Sequence, residues 1–121
     1  MSKRVLVVED EEDNRRIVRD LLTTVGYEII EAVTGEEGVK AAETQLPDLI
    51  LMDIQLPGLD GYEATRRIKA NPALHHIPII VVTSYALSGD DAKAFEAGCD
   101  GYVSKPFSPR ALLAKIREYL P

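Results

Sequence analysis

Leu49-Ile50-Leu51-Met52-Asp53-Ile54-Gln55-Leu56-Pro57-Gly58 is the stretch that decides the fold. Four apolar residues run directly into one aspartate. A continuous apolar run is the pattern of a strand buried on both faces, as in a parallel sheet covered by helices. Asp53 ends that run, so it lies at the strand's C-terminal edge, where open α/β sheets bind their ligands. Pro57-Gly58 then turns the chain. A carboxylate at the mouth of an apolar strand is costly unless something pairs with it.

The flanking sequence repeats the pattern in both directions. Val5 to Val8 reads as a first buried strand ending in Glu9-Asp10. Ile17, Val18, Leu21, Leu22 and Val25 then recur at helical spacing, and Gly26 stops that helix. Tyr27 to Ala32 is a more polar strand, expected near an edge. Thr34-Gly35-Glu36-Glu37 has capping-box spacing for a second helix running to about Thr44. Asp60 caps a third helix whose core positions include Tyr62, Thr65 and Ile68, and Asn71-Pro72 ends it. Pro78 introduces Ile79 to Val82, a buried strand closing on Thr83-Ser84. Ser88 to Ala97 is a short fourth helix, poor in large apolar residues. Gly101 to Ser104 is a fifth strand, followed by Lys105-Pro106. Ser108-Pro109 caps and opens a last helix with Leu112, Leu113, Ile116 and Leu120 as its stripe. Strict alternation of five strands and five helices implies an α/β fold, a parallel sheet with helices on both faces.

The 121 residues suffice for one domain with a real core, and neither repeats nor linkers interrupt them. The net charge of −6 argues against a nucleic-acid or anionic-membrane partner. Arg15, Arg16 and Arg19 form a local basic group that reads as a solvated helix face. The one cysteine, Cys99, excludes an intrachain disulfide and a thiolate cluster, and its turn-like setting suggests a small structural residue. The apolar run near the N-terminus is too short for a membrane span. These features together point to a cytoplasmic protein.

Chemistry-bearing residues fall at the strand ends. The first strand supplies Glu9 and Asp10, the third Asp53, the fourth Thr83 and Ser84, the fifth Lys105. A parallel sheet sets these edges side by side. Converging carboxylates repel one another and call for a cation or for raised pKa values. Oxygen donors without histidine or thiolate suit a hard cation, Mg²⁺ or Mn²⁺. A lysine and a hydroxyl beside them are what a phosphoryl group would require. Taken singly, each residue has a plainer reading: acids favoured at a helix N-terminus, a β-branched strand threonine, a solvated loop lysine. Their coincidence at strand ends is what points to a site.

The segments Val5-Leu6-Val7-Val8-Glu9-Asp10, Leu51 to Gly61, Val82-Thr83-Ser84 and Gly101-Tyr102-Val103-Ser104-Lys105-Pro106-Phe107 resemble, in order and over essentially the whole chain, the response-regulator receiver domain of two-component signalling. The resemblance implies a flavodoxin-like, doubly wound five-stranded sheet of order 2-1-3-4-5 with five helices. It implies that Asp53 is the phosphoacceptor, that Asp10 and Asp53 ligate Mg²⁺, that Glu9 supports the metal through water, and that the Gln55 backbone carbonyl completes the protein ligands. Thr83 would donate its hydroxyl to the phosphoryl group and Lys105 would pair with it. The Lys105-Pro106 bond is expected to be cis, and Tyr102 is the expected switch aromatic, changing rotamer with Thr83.

The chain is similar to stand-alone receivers, which implies that residues 1–121 would form one receiver with no output domain. The expected partners are a sensor histidine kinase or histidine phosphotransfer protein and a downstream effector on the face of the fourth helix, fifth strand and fifth helix, with the chain a monomer or weak dimer. Gln55 and Tyr85 stand where family members tune dephosphorylation, so the phosphoryl lifetime does not carry over. Self-phosphorylation and autodephosphorylation would be its only chemistry. Three rivals fit less well. An aspartate-nucleophile phosphatase resembles a pattern with a second acid two residues after the first, and Gln55 stands there. A nucleotide or flavin binder needs a glycine- or hydroxyl-rich first loop, and Glu9 to Asp13 stand there. A pseudo-receiver acting only as a docking module would not need the acids, Asp53, Thr83 and Lys105 together.

Overall fold

The structure, a computed structural model, describes residues 2–83 and 90–120, with only the backbone described at 90 and 91. The elements alternate along the chain: β1 (Arg4–Val8), α1 (Glu12–Thr24), β2 (Glu28–Ala32), α2 (Gly35–Gln45), β3 (Leu49–Asp53), α3 (Gly61–Ala70), β4 (Ile79–Thr83), α4 (Asp90–Glu96), β5 (Gly101–Ser104) and α5 (Pro109–Arg117). The sheet is parallel throughout, in order β2-β1-β3-β4-β5. This is the flavodoxin-like, doubly wound arrangement that the alternation and the resemblance implied. The polar strand β2 lies at an edge. β3 and β4 are buried at every position. Ser84, Tyr85, Leu87 and the expected cap Ser88 lie outside the described residues.

Side chains alternate across each strand and divide the core in two. One cluster takes Leu6, Val8, Ile50, Met52, Ile79 and Val81 with the apolar faces of α2 and α3, and Tyr102 packs against it. The other takes Val5, Val7, Leu49, Leu51 and Ile80 with Leu22 of α1 and Leu112 and Ile116 of α5. Leu49, Ile50 and Met52 are fully buried, and each such side chain contributes about 1.5–3 kcal/mol relative to exposure. β3 is thus anchored deep in the core, and it carries Asp53.

The predicted caps form in part. The Thr34 hydroxyl accepts the Glu37 amide at 3.1 Å, but the Glu37 carboxylate meets that hydroxyl, not the Thr34 amide. Asp60 accepts the Glu63 amide at 2.9 Å, and Ser108 accepts that of Ala111 at 3.1 Å. Leu46 ends α2 in a left-handed conformation, φ 47°, unforeseen in the sequence. Two members of the predicted α1 stripe are not core. Ile17 is 59% exposed because it lines a cavity and is not covered by packed side chains. Val25 is 39% exposed because it is the C-cap, at the point where Gly26 turns the chain away. Phe107 packs into the opposite cluster from Tyr102, with α1 and α5. Among the described residues no helix is long and apolar enough to cross a membrane.

Candidate functional site

The sheet register assembles the site. Val8 pairs with Met52, so the residues that follow, Glu9 and Asp53, emerge side by side. Asp53 pairs with Val82, and Thr83 with Ser104, which places Lys105 two strands away at the same edge. Glu9, Asp53 and Lys105 each stand two residues beyond a member of the α1–α5 cluster, namely Val7, Leu51 and Val103. All three line a cavity of about 540 Å³ with Ile17, Val18 and Phe107. Thr83 follows the opposite alternation, in step with Val81, whose β5 neighbour is Tyr102.

Within this group the contacts are charged. The Lys105 ammonium stands 3.2 Å from Asp53 Oδ2 and 3.5 Å from Glu9 Oε1. Asp53 Oδ1 accepts the Gln55 backbone amide at 3.2 Å, so both oxygens of the carboxylate are held. Glu9 Oε2 accepts the Glu11 amide at 3.2 Å, which covers one of the unpaired N–H groups at the start of α1. The Thr83 carbonyl accepts the Lys105 amide at 2.7 Å, and the Lys105-Pro106 peptide is cis. Glu9, Asp53 and Thr83 are buried, and Asp10 is exposed.

Burial, a hydrogen bond with Asp53 and the Asp53 charge push the Glu9 carboxyl up to about 7, against the pull of the Glu11 amide and Lys105. Burial acts to lower the Lys105 ammonium, but the charges of Asp53 and Glu9 outweigh it and leave the group raised. The two buried carboxylates, Glu9 and Asp53, therefore outnumber the one ammonium that stands between them. Carboxylate oxygens from Glu9, Asp10 and Asp53 lie within 4.8 Å of one another. A donor set of oxygens alone, short of positive charge, fits a hard divalent cation.

Elsewhere the plainer readings hold. Arg16 pairs with Asp13, and Arg19 with Asp20 and Glu31, as on a solvated helix face. Cys99 is buried, and burial pushes its thiol up to about 11, away from reactivity. Tyr102 is half-buried and packs edge-on against Phe95, ring centroids 5.8 Å apart. Two features were missed in the sequence. Gly61 lies under the Asp53 carbonyl, with no space for a side chain. Arg15 turns inward and donates to the Glu9 carbonyl at 3.0 Å. The signal for Arg15 was present, since it stands one helical turn after Glu11, next to the acidic pair.

The sequence model of the response regulator receiver domain matches residues 5–117. The chain belongs to the response regulator receiver family. As a receiver it is 44% identical over 120 residues to the polar-differentiation response regulator DivK of Brucella ovis, covering 99% of this chain and 98% of that protein. The receiver domain of a sensor histidine kinase from Pseudomonas aeruginosa superposes with a TM-score of 0.93 at 37% identity, over 99% of this chain and 98% of that one. That structure holds a magnesium ion coordinated in its active-site cleft. A chemotaxis response regulator of Vibrio cholerae superposes with a TM-score of 0.93 at 26% identity, over 98% and 99% of the two chains. The receiver is thus a component of two-component signalling, a switch family whose members bind Mg²⁺ and work with histidine kinases and effectors.

Proposed function

We propose that this receiver takes a phosphoryl group onto Asp53 from a phosphohistidine on a sensor histidine kinase or histidine phosphotransfer protein. The Lys105 ammonium, 3.2 Å from Asp53 in a site crowded with carboxylates, is the observation that carries the reading. An Asp53 oxygen attacks phosphorus, the bond from phosphorus to the imidazole nitrogen breaks, and the freed imidazole takes a proton from water. The product is an acyl phosphate. The Gln55 amide keeps the attacking carboxylate from turning away. Lys105 exchanges its contact with Asp53 for one with a phosphoryl oxygen, and the Thr83 hydroxyl donates to another. Asp10, Asp53 and the Gln55 backbone carbonyl would hold Mg²⁺ or Mn²⁺, with Glu9 supporting it through water. The bound cation would neutralise the charge that gathers on the transferred group. The magnesium ion in the Pseudomonas receiver supports this assignment. In the reset, a water oxygen attacks phosphorus and the carboxylate leaves.

Residues 1–121 then act as one receiver domain in the cytoplasm, monomeric or weakly dimeric, without nucleic-acid or membrane partners and without turnover of an outside substrate. The phosphorylated state is read by an effector on the face of α4, β5 and α5. Thr83 draws toward the phosphoryl group, and Tyr102, in step with it across β4 and β5, follows. Tyr85 would slow the reset by obstructing the line of water attack. Intact-mass measurement after incubation with acetyl phosphate and Mg²⁺ tests the reading. Wild type should gain the mass of one phosphoryl group, and Asp53→Asn or a chelator should abolish the gain. Equal phosphorylation of Asp53→Asn would overturn it.

A further inference from the structure

Asp10 is the least supported of the acidic residues at the site. Its side chain is exposed, and no hydrogen bond or ion pair ties it to another described residue. Its direction is therefore set by its backbone, above all by the plane of the peptide that joins it to Glu9. One end of that region is fixed where the Glu9 amide donates to the Ala32 carbonyl at 3.0 Å, the last rung of the β1–β2 ladder. The Glu9 carbonyl lies beyond the ladder and has no strand partner. Arg15 supplies one: its Nη1 donates to that oxygen at 3.0 Å while its Nε pairs with Glu31 Oε1 at 3.0 Å. The arginine is only 16% exposed, unlike its neighbours Arg16 and Arg19. A planar guanidinium held at both ends cannot swing, so it fixes the carbonyl it bonds.

We propose that Arg15 is a positioning residue for the cation site: the Glu31–Arg15–Glu9 carbonyl chain orients the Glu9–Asp10 peptide and so aims the Asp10 carboxylate. The inference rests on the cation reading of the previous subsection, and its sign separates it from simple electrostatics. Arg15 is a cation near a cluster of acids, so removing its charge alone would strengthen Mg²⁺ binding. Loss of aim would weaken it.

Arg19→Gln is the matched control, because Arg19 also pairs with Glu31 from the same helix but has no bond to Glu9. NMR titration with Mg²⁺ should show Arg15→Gln binding about tenfold more weakly than wild type, the low end for loss of an outer partner of a metal ligand. Arg19→Gln should bind as tightly as wild type or tighter. Arg15→Lys, which can reach only one of the two oxygens at a time, should fall between. Phosphorylation of Arg15→Gln by acetyl phosphate should recover at saturating Mg²⁺, a shift in Mg²⁺ dependence and not in limiting rate. In metal-free protein, Arg15→Gln should move the Asp10 and Glu11 amide signals and Arg19→Gln should leave them in place. This signature tests the tether even if wild type binds no Mg²⁺, a result that would sink the cation reading instead. Unchanged or tighter Mg²⁺ binding by Arg15→Gln, or silent Asp10 and Glu11 amides, would overturn the proposal.

Discussion

Replacing Gly61 with alanine tests how tightly the fold holds Asp53 from behind. A Cβ built at Gly61 would lie 2.1 Å from the Asp53 carbonyl oxygen, 2.9 Å from its carbonyl carbon and 2.8 Å from Ile54 Cα. All three are backbone atoms, so no side chain can rotate out of the way. Ordinary contact needs more than an ångström of additional separation from that oxygen, and the Gly61 amide is itself bonded to the Ile54 carbonyl at 3.1 Å. The junction of β3 and α3 must therefore open. Overpacking of this kind costs about 3 kcal/mol when rigid groups have to move. A domain of this size loses roughly 4 °C of Tm per kcal/mol, so Gly61→Ala should melt about 12 °C below wild type. Gly26→Ala is the comparison. Gly26 has φ +99° and open space around its Cβ position, so only left-handed strain opposes the alanine, about 1–2 kcal/mol. Thermal melts by circular dichroism read both. Gly61→Ala within 2–3 °C of wild type, a loss below about 1 kcal/mol, would refute the packing argument.

Stability of the metal-free protein should fall as pH rises from 4.5 to about 7, because the folded Glu9 carboxyl keeps a proton that the unfolded chain has released. Urea midpoints across that range in the presence of a chelator check this, and a midpoint that rises steadily would contradict it. Asp53→Ala should leave the metal-free melting temperature unchanged or higher, since Lys105 retains Glu9 as a partner and one repelling carboxylate is gone; a melt well below wild type would oppose this. Binding of beryllofluoride, a phosphoryl mimic, should shift the amide signals of Tyr102 and Phe95 as well as those around Asp53. A response confined to the loops around Asp53 would dismiss the Tyr102 switch.

The fold was legible because two strong signals agreed. Unbroken apolar runs at Val5–Val8, Leu49–Met52 and Ile79–Val82 marked strands covered on both faces, and glycine, proline and capping residues separated them from helical repeats. The convergence of Glu9, Asp53 and Lys105 followed, since a parallel sheet admits little freedom in where strand ends lie. Less legible were properties that depend on three-dimensional surroundings. Periodicity put Ile17 in the α1 stripe, but only the packed sheet shows that a cavity lies beneath it. Phe107 follows β5 closely in sequence, yet the chain carries it to the opposite side of the sheet from Tyr102. Gly61 stood in plain view just after the Asp60 cap, and its reason, the Asp53 backbone, comes from residues it meets only on folding. Arg15 read as one of three surface arginines, although its place one helical turn after Glu11, beside the acidic pair, was the signal that set it apart.

The central claim is that Asp53 carries the phosphoryl group. Reduction with borohydride converts an acyl phosphate to an alcohol, so an aspartyl phosphate becomes homoserine and is marked in place. The receiver should be phosphorylated with acetyl phosphate and Mg²⁺, reduced, digested and sequenced by tandem mass spectrometry. The account predicts homoserine at position 53 alone, dependent on both phosphodonor and Mg²⁺. Homoserine at position 10, or a phosphoryl group recovered on a serine, threonine or histidine with position 53 still aspartate, would contradict it.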